Sequence, residues 1–414
     1  MKQQYDSYKP SGIDWIGDIP SHWDVLPLKR ISAMFGRIGY RGYTVQDLRA
    51  EGEGAITLSP SNMSNGSMDY ENVSYLSWEK YHESPEIKIQ EGDILFVKTG
   101  STFGKTSYVD ELPMEATINP QILRIVPSIH KKYLAYCMGT PYSQALTDCY
   151  VVGSTIPTIS QESIGKFVFC VPPLPEQEAI AAWLDTQCGE IDSAIAKVDR
   201  EIELIDELKQ SEISRVVTRG LNPDAPLRPS GIDWIGDIPE HWIIAPFKRS
   251  LKINNGCDYK HIVSEEGYPV IGSGGQFAFA SDYLYDGEVL LLGRKGTIDR
   301  PMHYIGKFWT VDTMFYAIPN NNVCCKYMYY QALGFPFDYY STATALPSMA
   351  ASDLANNPII VPPLPEQQAI ADYLDKKCAD IDGLKAKLSK KRETLTELRQ
   401  SIISEVVTGK RKVI

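Results

Sequence analysis

Two stretches of this chain occur twice, and the repetition confines the fold to two copies of one frame. Residues 10–30 read PSGIDWIGDIPSHWDVLPLKR and residues 229–249 read PSGIDWIGDIPEHWIIAPFKR, identical at sixteen of twenty-one positions. Residues 171–192 (VPPLPEQEAIAAWLDTQCGEID) and 361–382 (VPPLPEQQAIADYLDKKCADID) agree at fifteen of twenty-two. Between these anchors the sequence hardly repeats. The order is frame, variable insert, frame, taken twice. That suits one scaffold reading two different things better than a single catalytic pocket.

The 414 residues correspond to two or three domains of roughly 150 residues. Apolar (43%) and charged (22%) fractions are ordinary globular values. There is no run of about 18 apolar residues, so no membrane span is expected. The N-terminus, MKQQYDSYKPSG, lacks the apolar stretch of a secretory signal, and a cytoplasmic protein is expected. The eight cysteines form no CxxC pair; they read as small buried apolar residues, and no metal site is expected. A net charge of −11 weighs weakly against nucleic acid, so a DNA-facing surface must be a local basic patch. Residues 171–228 hold 6 basic and 12 acidic side chains, whereas 361–414 hold 11 and 8. Copies of opposite net sign are expected to attract and pack together.

The expected division is an N-terminal arm (1–23), a first insert (24–170), a long helix (171–220), a linker with the repeated arm (221–242), a second insert (243–360) and a second long helix (361–414). The first insert is 29 residues longer than the second. Both read as mixed α/β, mostly strands: 92–98 matches 287–292, 117–127 matches 310–319, and short helices match at 133–138 and 327–332. Trp15, Trp23, Trp234 and Trp242 are expected to be packing anchors, and His22 and His241 to be structural. After VPPLP each long helix carries a 3–4 apolar stripe. It runs Ile191, Ala194, Val198, Glu201, Ile205, Leu208 in the first and Ile381, Leu384, Leu388, Lys391, Leu395, Leu398, Ile402 in the second. Glu201 and Lys391 interrupt it at equivalent positions and either face each other or reach solvent. A helix of about 40 residues spans about 60 Å, too long for one compact domain. Antiparallel pairing is expected, because it relates the halves by a closed two-fold axis. The fold class is therefore α+β: two mixed α/β domains and an antiparallel coiled coil, with a pseudo-two-fold internal repeat.

Catalytic signatures are missing. IGSGGQF (271–277) is not followed by GK[ST], FGRIG (35–39) lies outside a βαβ context, and NPQI (119–122) and NPII (357–360) lack the NPP[YF] form of an amino-methyltransferase. The ExK of Glu86–Lys88 has no partner aspartate, and the six histidines form no HExxH. No enzyme activity is expected.

The paired anchors, W-[IL]-G-x-I-P-x-H-W opening each half and VPPLPEQxxIAxxLD opening each long helix, resemble the specificity subunit of type I restriction-modification systems over the whole chain. The resemblance implies that the inserts are target recognition domains, each reading half of a bipartite, asymmetric site in double-stranded DNA. It implies that the long helices are central repeats that set the gap between half-sites and dock two methyltransferase subunits, to which restriction subunits are added. S-adenosylmethionine, ATP and Mg would then belong to those partners, with no cofactor in this chain. Base edges are read by Arg and Lys at guanine and by Asn and Gln at adenine. The candidate reading residues are Arg37, Arg41, Lys98, Thr99, Ser101 and Lys105, with the polar stretch 59–65, in the first insert. In the second they are Lys260, Ser273, Gln276, Arg294, Lys295 and Arg300. The readings kept beside this one are a tandem protein-binding scaffold without a DNA role and an enzyme fused to its own recognition domains.

Overall fold

The computed structural model describes residues 4–64, 66–151, 157–337 and 347–413. The chain separates into two compact units, residues 1–197 with 391–414 and residues 198–390. Each unit holds one insert, one copy of the repeated arm and a part of each long helix.

In the first unit a four-stranded antiparallel sheet has the order Thr106–Tyr108, Ile94–Val97, Ile122–Pro127, Ser32–Gly36. A second sheet contains Ala116–Ile118 running parallel to Ala55–Leu58. In the second unit one seven-stranded sheet does both jobs. Leu251–Asn255, Met314–Pro319, Tyr285–Gly293 and Met302–Thr310 repeat the first order. Met302–Thr310 then runs on to pair in parallel with Val270 and Ile271 through Trp309 and Thr310. One strand here, carrying Gly306 at φ 115, replaces two in the longer insert. The inserts thus share a topology that their side chains conceal.

Both ends of each insert are hydrogen-bonded to each other. Asp24–Pro27 pairs antiparallel with Val168–Val171, and Ile243–Pro246 pairs in the same way with Pro358–Val361. Each insert therefore leaves and rejoins its frame at one point.

The two frame motifs grip each other within a unit. His22 Nε2 lies 2.9 Å from Glu176, and His241 Nε2 lies 2.8 Å from Glu366. The adjacent glutamine holds the insert: Gln177 accepts from the His130 amide, and Gln367 from the Cys324 amide. Buried Tyr133 and Tyr327 lock the same junction, donating to the Cys170 and Ile360 carbonyls respectively. Trp23 and Trp242 are fully buried core anchors, as expected, but Trp15 and Trp234 are 43% and 37% exposed. Each arm packs on a long-helix end closed by a left-handed glycine, Gly409 in the first unit and Gly220 in the second.

The long helices span Leu174–Arg219 and Leu364–Val407. In the second unit Lys385 pairs with Asp206 and Lys209 with Asp382, both at 2.7 Å, so one index rises as the other falls. In the first unit Arg399 pairs with Asp192 at 2.8 Å. The pairing is antiparallel. Two of these three pairs place the cation on the second helix, as the charge imbalance predicts. Such exposed pairs contribute under about 1 kcal/mol each, so they set register more than stability.

The seam differs from the expected stripe in one row. Val198 and Ile381 are buried, and Ile191, Ile205, Leu388 and Leu395 are partly buried. The second row lies four residues on, not three: Ile195, Ile202 and Lys209 on the first helix, Lys385 and Arg399 on the second. Leu208, Leu384 and Leu398 are instead 54%, 49% and 45% exposed. The reason is that Lys385 and Arg399 lay apolar stems along the seam while their charged ends reach Asp206 and Asp192. Glu201 and Lys391 sit on the outer row and are exposed, so they do not interrupt the seam.

Candidate nucleic-acid interface

Three loops meet in each unit, and they correspond. The first is the hairpin turn after the central strand, residues 98–105 and 294–301. On one side the Lys98 amide donates to Gln121 O and the Arg294 amide to Thr313 O, both at 2.8 Å. On the other, Ile159 donates to Lys98 O and Met349 to Arg294 O, both at 3.0 Å. Bridges between Thr99 and Thr158 and between Lys295 and Ser348 repeat the match. The turn that holds the hairpin also holds the third loop. Asn119 donates to Leu58 O just ahead of the Ser59 stretch, and Val311 to Ile271 O just ahead of the Ser273–Gly274 turn. A constant backbone clamp thus presents unlike side chains, the usual arrangement for a variable function on a rigid frame.

The cations of the hairpins lie open. Lys295 and Arg300 are exposed, and Lys98, Lys105 and Arg294 are half-buried. Among the described residues none of the five pairs with a carboxylate. Arg294 donates to the Asp312 carbonyl at 3.3 Å and lies 5.8 Å from the Phe315 ring centroid. Burial pushes the Lys98 ammonium below its usual value, and no neighbouring charge counters it. Lys98 and Arg294 occupy the same place in the two hairpins. Beside Lys98, Asn119 and Gln121 form a small amide network, with Asn119 Nδ2 3.2 Å from Gln121 Oε1. Gln121 is exposed, whereas Asn119 is buried at 8% and also accepts from the Gln121 amide; neither was among the candidates, because both look like ordinary turn residues in the sequence. Thr99, Ser101, Ser273 and Gln276 are at least partly accessible, and Lys260 is exposed on a short turn.

One candidate does not fit. Arg37 is 5% exposed and donates to the Ile118 carbonyl, Thr117 Oγ1 and the Arg41 carbonyl at 3.0–3.3 Å. It is an internal tether of the first insert, placed there because strand-end carbonyls need donors. Arg41 lies 3.4 Å from Glu86, which also engages the ExK motif in the fold. In the polar stretch, Asn62 is buried and bonded to the Asn72 carbonyl, while Asn65 lies outside the described residues. No helix among the described residues is long and apolar enough to cross a membrane.

The comparisons with known proteins bear on the family and the fold. The model of the type I restriction modification DNA specificity domain matches twice, over residues 43–204 and 246–391. The type I restriction enzyme MjaVIII specificity subunit of Methanocaldococcus jannaschii is 23% identical over 79% of this chain and 81% of its own length. The EcoKI specificity subunit of Escherichia coli K12 is 19% identical over 95% and 90%. A solved structure concerned with complex assembly and conformational transition of the type I R-M system superposes with a TM-score of 0.71 at 14% identity, covering 94% of this chain and 98% of that one. That last likeness is one of fold. With two domain matches across more than half its length, one on each insert and the helix after it, the chain belongs to the type I restriction-modification specificity subunits, which recognise DNA sequence.

Proposed function

We propose that this subunit reads a bipartite, asymmetric site in double-stranded DNA, each unit reading one half with its own clamped loops. The observation that carries the proposal is the pair of structurally equivalent hairpins whose cations have no carboxylate partner among the described residues and whose sequences differ. Lys98 and Arg294 are the central contacts, with Lys105, Lys295 and Arg300 supporting them at phosphates. The exposed Gln121 supplies amide readout in the first unit. The chain itself performs no catalysis. Methyltransferase subunits carrying S-adenosylmethionine dock on the long helices, and restriction subunits using ATP and Mg join them. The exposed Leu204, Leu208 and Leu384 offer apolar area for that docking.

The test compares methylated sites in cells with and without this chain. The expected result is one class of site, two short defined parts at a fixed gap, present only with the chain. Methylation unchanged by its removal, together with no salt-dependent DNA retardation by the chain and its methyltransferase, overturns the reading in favour of a protein-binding scaffold.

A further inference from the structure

Away from the reading loops, the second unit brings together Glu288, His303 and Cys325. One ligand atom from each lies within 4.8 Å of the others, the single such group found among the described residues. Glu288 and His303 come from neighbouring antiparallel strands. Glu288 is opposite Ile305 and Leu290 opposite His303, so the two side chains share a face, offset by two residues. His303 Nε2 is 2.7 Å from Glu288 Oε1. Cys325 begins the helix Cys325–Ala332, which closes over this face. Exposure is graded: Cys325 is buried at 1%, the His303 side chain is 13% exposed and that of Glu288 is 42%. A thiol lies at the bottom, an imidazole in the middle and a carboxylate at the open rim.

The internal repeat supplies a control. The strand registers place Gly92 and Tyr108 where the second unit has Glu288 and His303, and the matching helices place Lys131 at the position of Cys325. In the first unit the Lys131 side chain fills the space over Gly92, and its Nζ donates to the Glu91 carbonyl at 3.0 Å. One fold therefore puts a lysine cation at this place in one unit and three metal-ligand side chains in the other. All three positions differ together.

We propose that Glu288, His303 and Cys325 bind a divalent transition-metal ion of the zinc class, one per chain. Sulfur, imidazole nitrogen and carboxylate oxygen together select borderline metals over magnesium or calcium, which take oxygen ligands. Bonds of about 2.0–2.3 Å require the donors to lie somewhat closer than 4.8 Å to one another, so small side-chain movements complete the site. Three protein ligands leave a fourth position for water at the rim. The ion ties two strands and a helix of the second insert together, which makes it a structural element of that insert.

The experiment titrates the full-length, metal-stripped chain with Co²⁺ and follows the near-ultraviolet sulfur-to-cobalt charge-transfer band, then displaces the cobalt with Zn²⁺. The expected result is a band saturating at one equivalent, lost in Cys325→Ser, with affinity at least tenfold weaker in His303→Gln. Cys257→Ser, which alters an exposed cysteine elsewhere in the unit, leaves the band unchanged. Zinc is also expected to raise the Tm of the unaltered chain and not that of Cys325→Ser, measured against each protein's own metal-free Tm. A missing band, a band that survives in Cys325→Ser, or one abolished by Cys257→Ser overturns the proposal. If Cys325→Ser fails to fold, His303→Gln decides alone: unchanged affinity there rejects the site.

Discussion

Arg37 and Lys98 show what a basic residue can mean in this chain. Both sit beside glycines in polar segments, and sequence composition marks both as DNA-reading candidates. Their surroundings separate them. Arg37 spends its donors on Ile118, Thr117 and Arg41, so it holds the first insert together from inside. Lys98 keeps its ammonium half-buried with no carboxylate partner among the described residues. Arg37→Ala is expected to cost about 1–3 kcal/mol of stability, because it strands buried acceptors. Lys98→Ala is expected to leave thermal stability almost unchanged, to weaken DNA binding and to reduce the slope of log affinity against log salt by about one. Melting curves and binding isotherms at several salt concentrations, run on both variants, check this. Equal loss of stability in the two would remove the distinction. Nothing in the residue letters foretells it, since burial depends on strand-end carbonyls that only the fold brings near.

The long helices and their sevenfold row of Ile191, Val198, Ile205 and Ile381, Leu388, Leu395 were legible from periodicity. The companion row was not, because on the second helix it consists of Lys385 and Arg399, which no apolar pattern reports. Val198→Ala is expected to cost about 2 kcal/mol, whereas Leu208→Ala should stay within about 0.5 kcal/mol. Denaturant unfolding of the two variants checks this, and the reverse ranking would restore the three-residue row. A pH effect belongs to the same element. Arg215, with help from the Tyr373 hydroxyl of the facing helix at 2.7 Å, holds the Glu212 carboxyl down to about 2. A carboxylate with a depressed folded value stabilises above its unfolded value of about 4.3. That contribution fades as pH falls toward 2. Glu212→Gln removes it, so the Tm gap between unaltered chain and variant should be constant above about pH 5 and narrow on acidification. A gap that does not change with pH would show that Glu212 contributes nothing through its charge.

At the level of the whole chain, the repeated anchors showed where one frame ends and a variable part begins, and the structure supplies the reason the anchors are what they are. The histidine of the arm meets the glutamate of PEQ, and the glutamine of PEQ holds the insert, in both units. The sequence could not show that one insert splits these strands between two four-stranded sheets and the other joins them in a single one, because this depends on whether one strand breaks between Tyr108 and Ala116 or bends through Gly306. Since the two ends of each insert pair with each other, at Asp24–Pro27 with Val168–Val171 and at Ile243–Pro246 with Pro358–Val361, an insert can be exchanged without moving the frame around it. Replacing residues 28–167 with the corresponding insert of a relative should therefore leave an active complex whose methylated site changes in one half only. The donor must supply the counterpart of Tyr133 and a free backbone amide at position 130, or the insert loses its hold on Cys170 and Gln177. Sequencing of methylated bases in cells carrying the exchanged chain reads the outcome directly. A change in both halves would mean that the two units do not read independently, and an unchanged site would mean that the reading surface lies outside the insert.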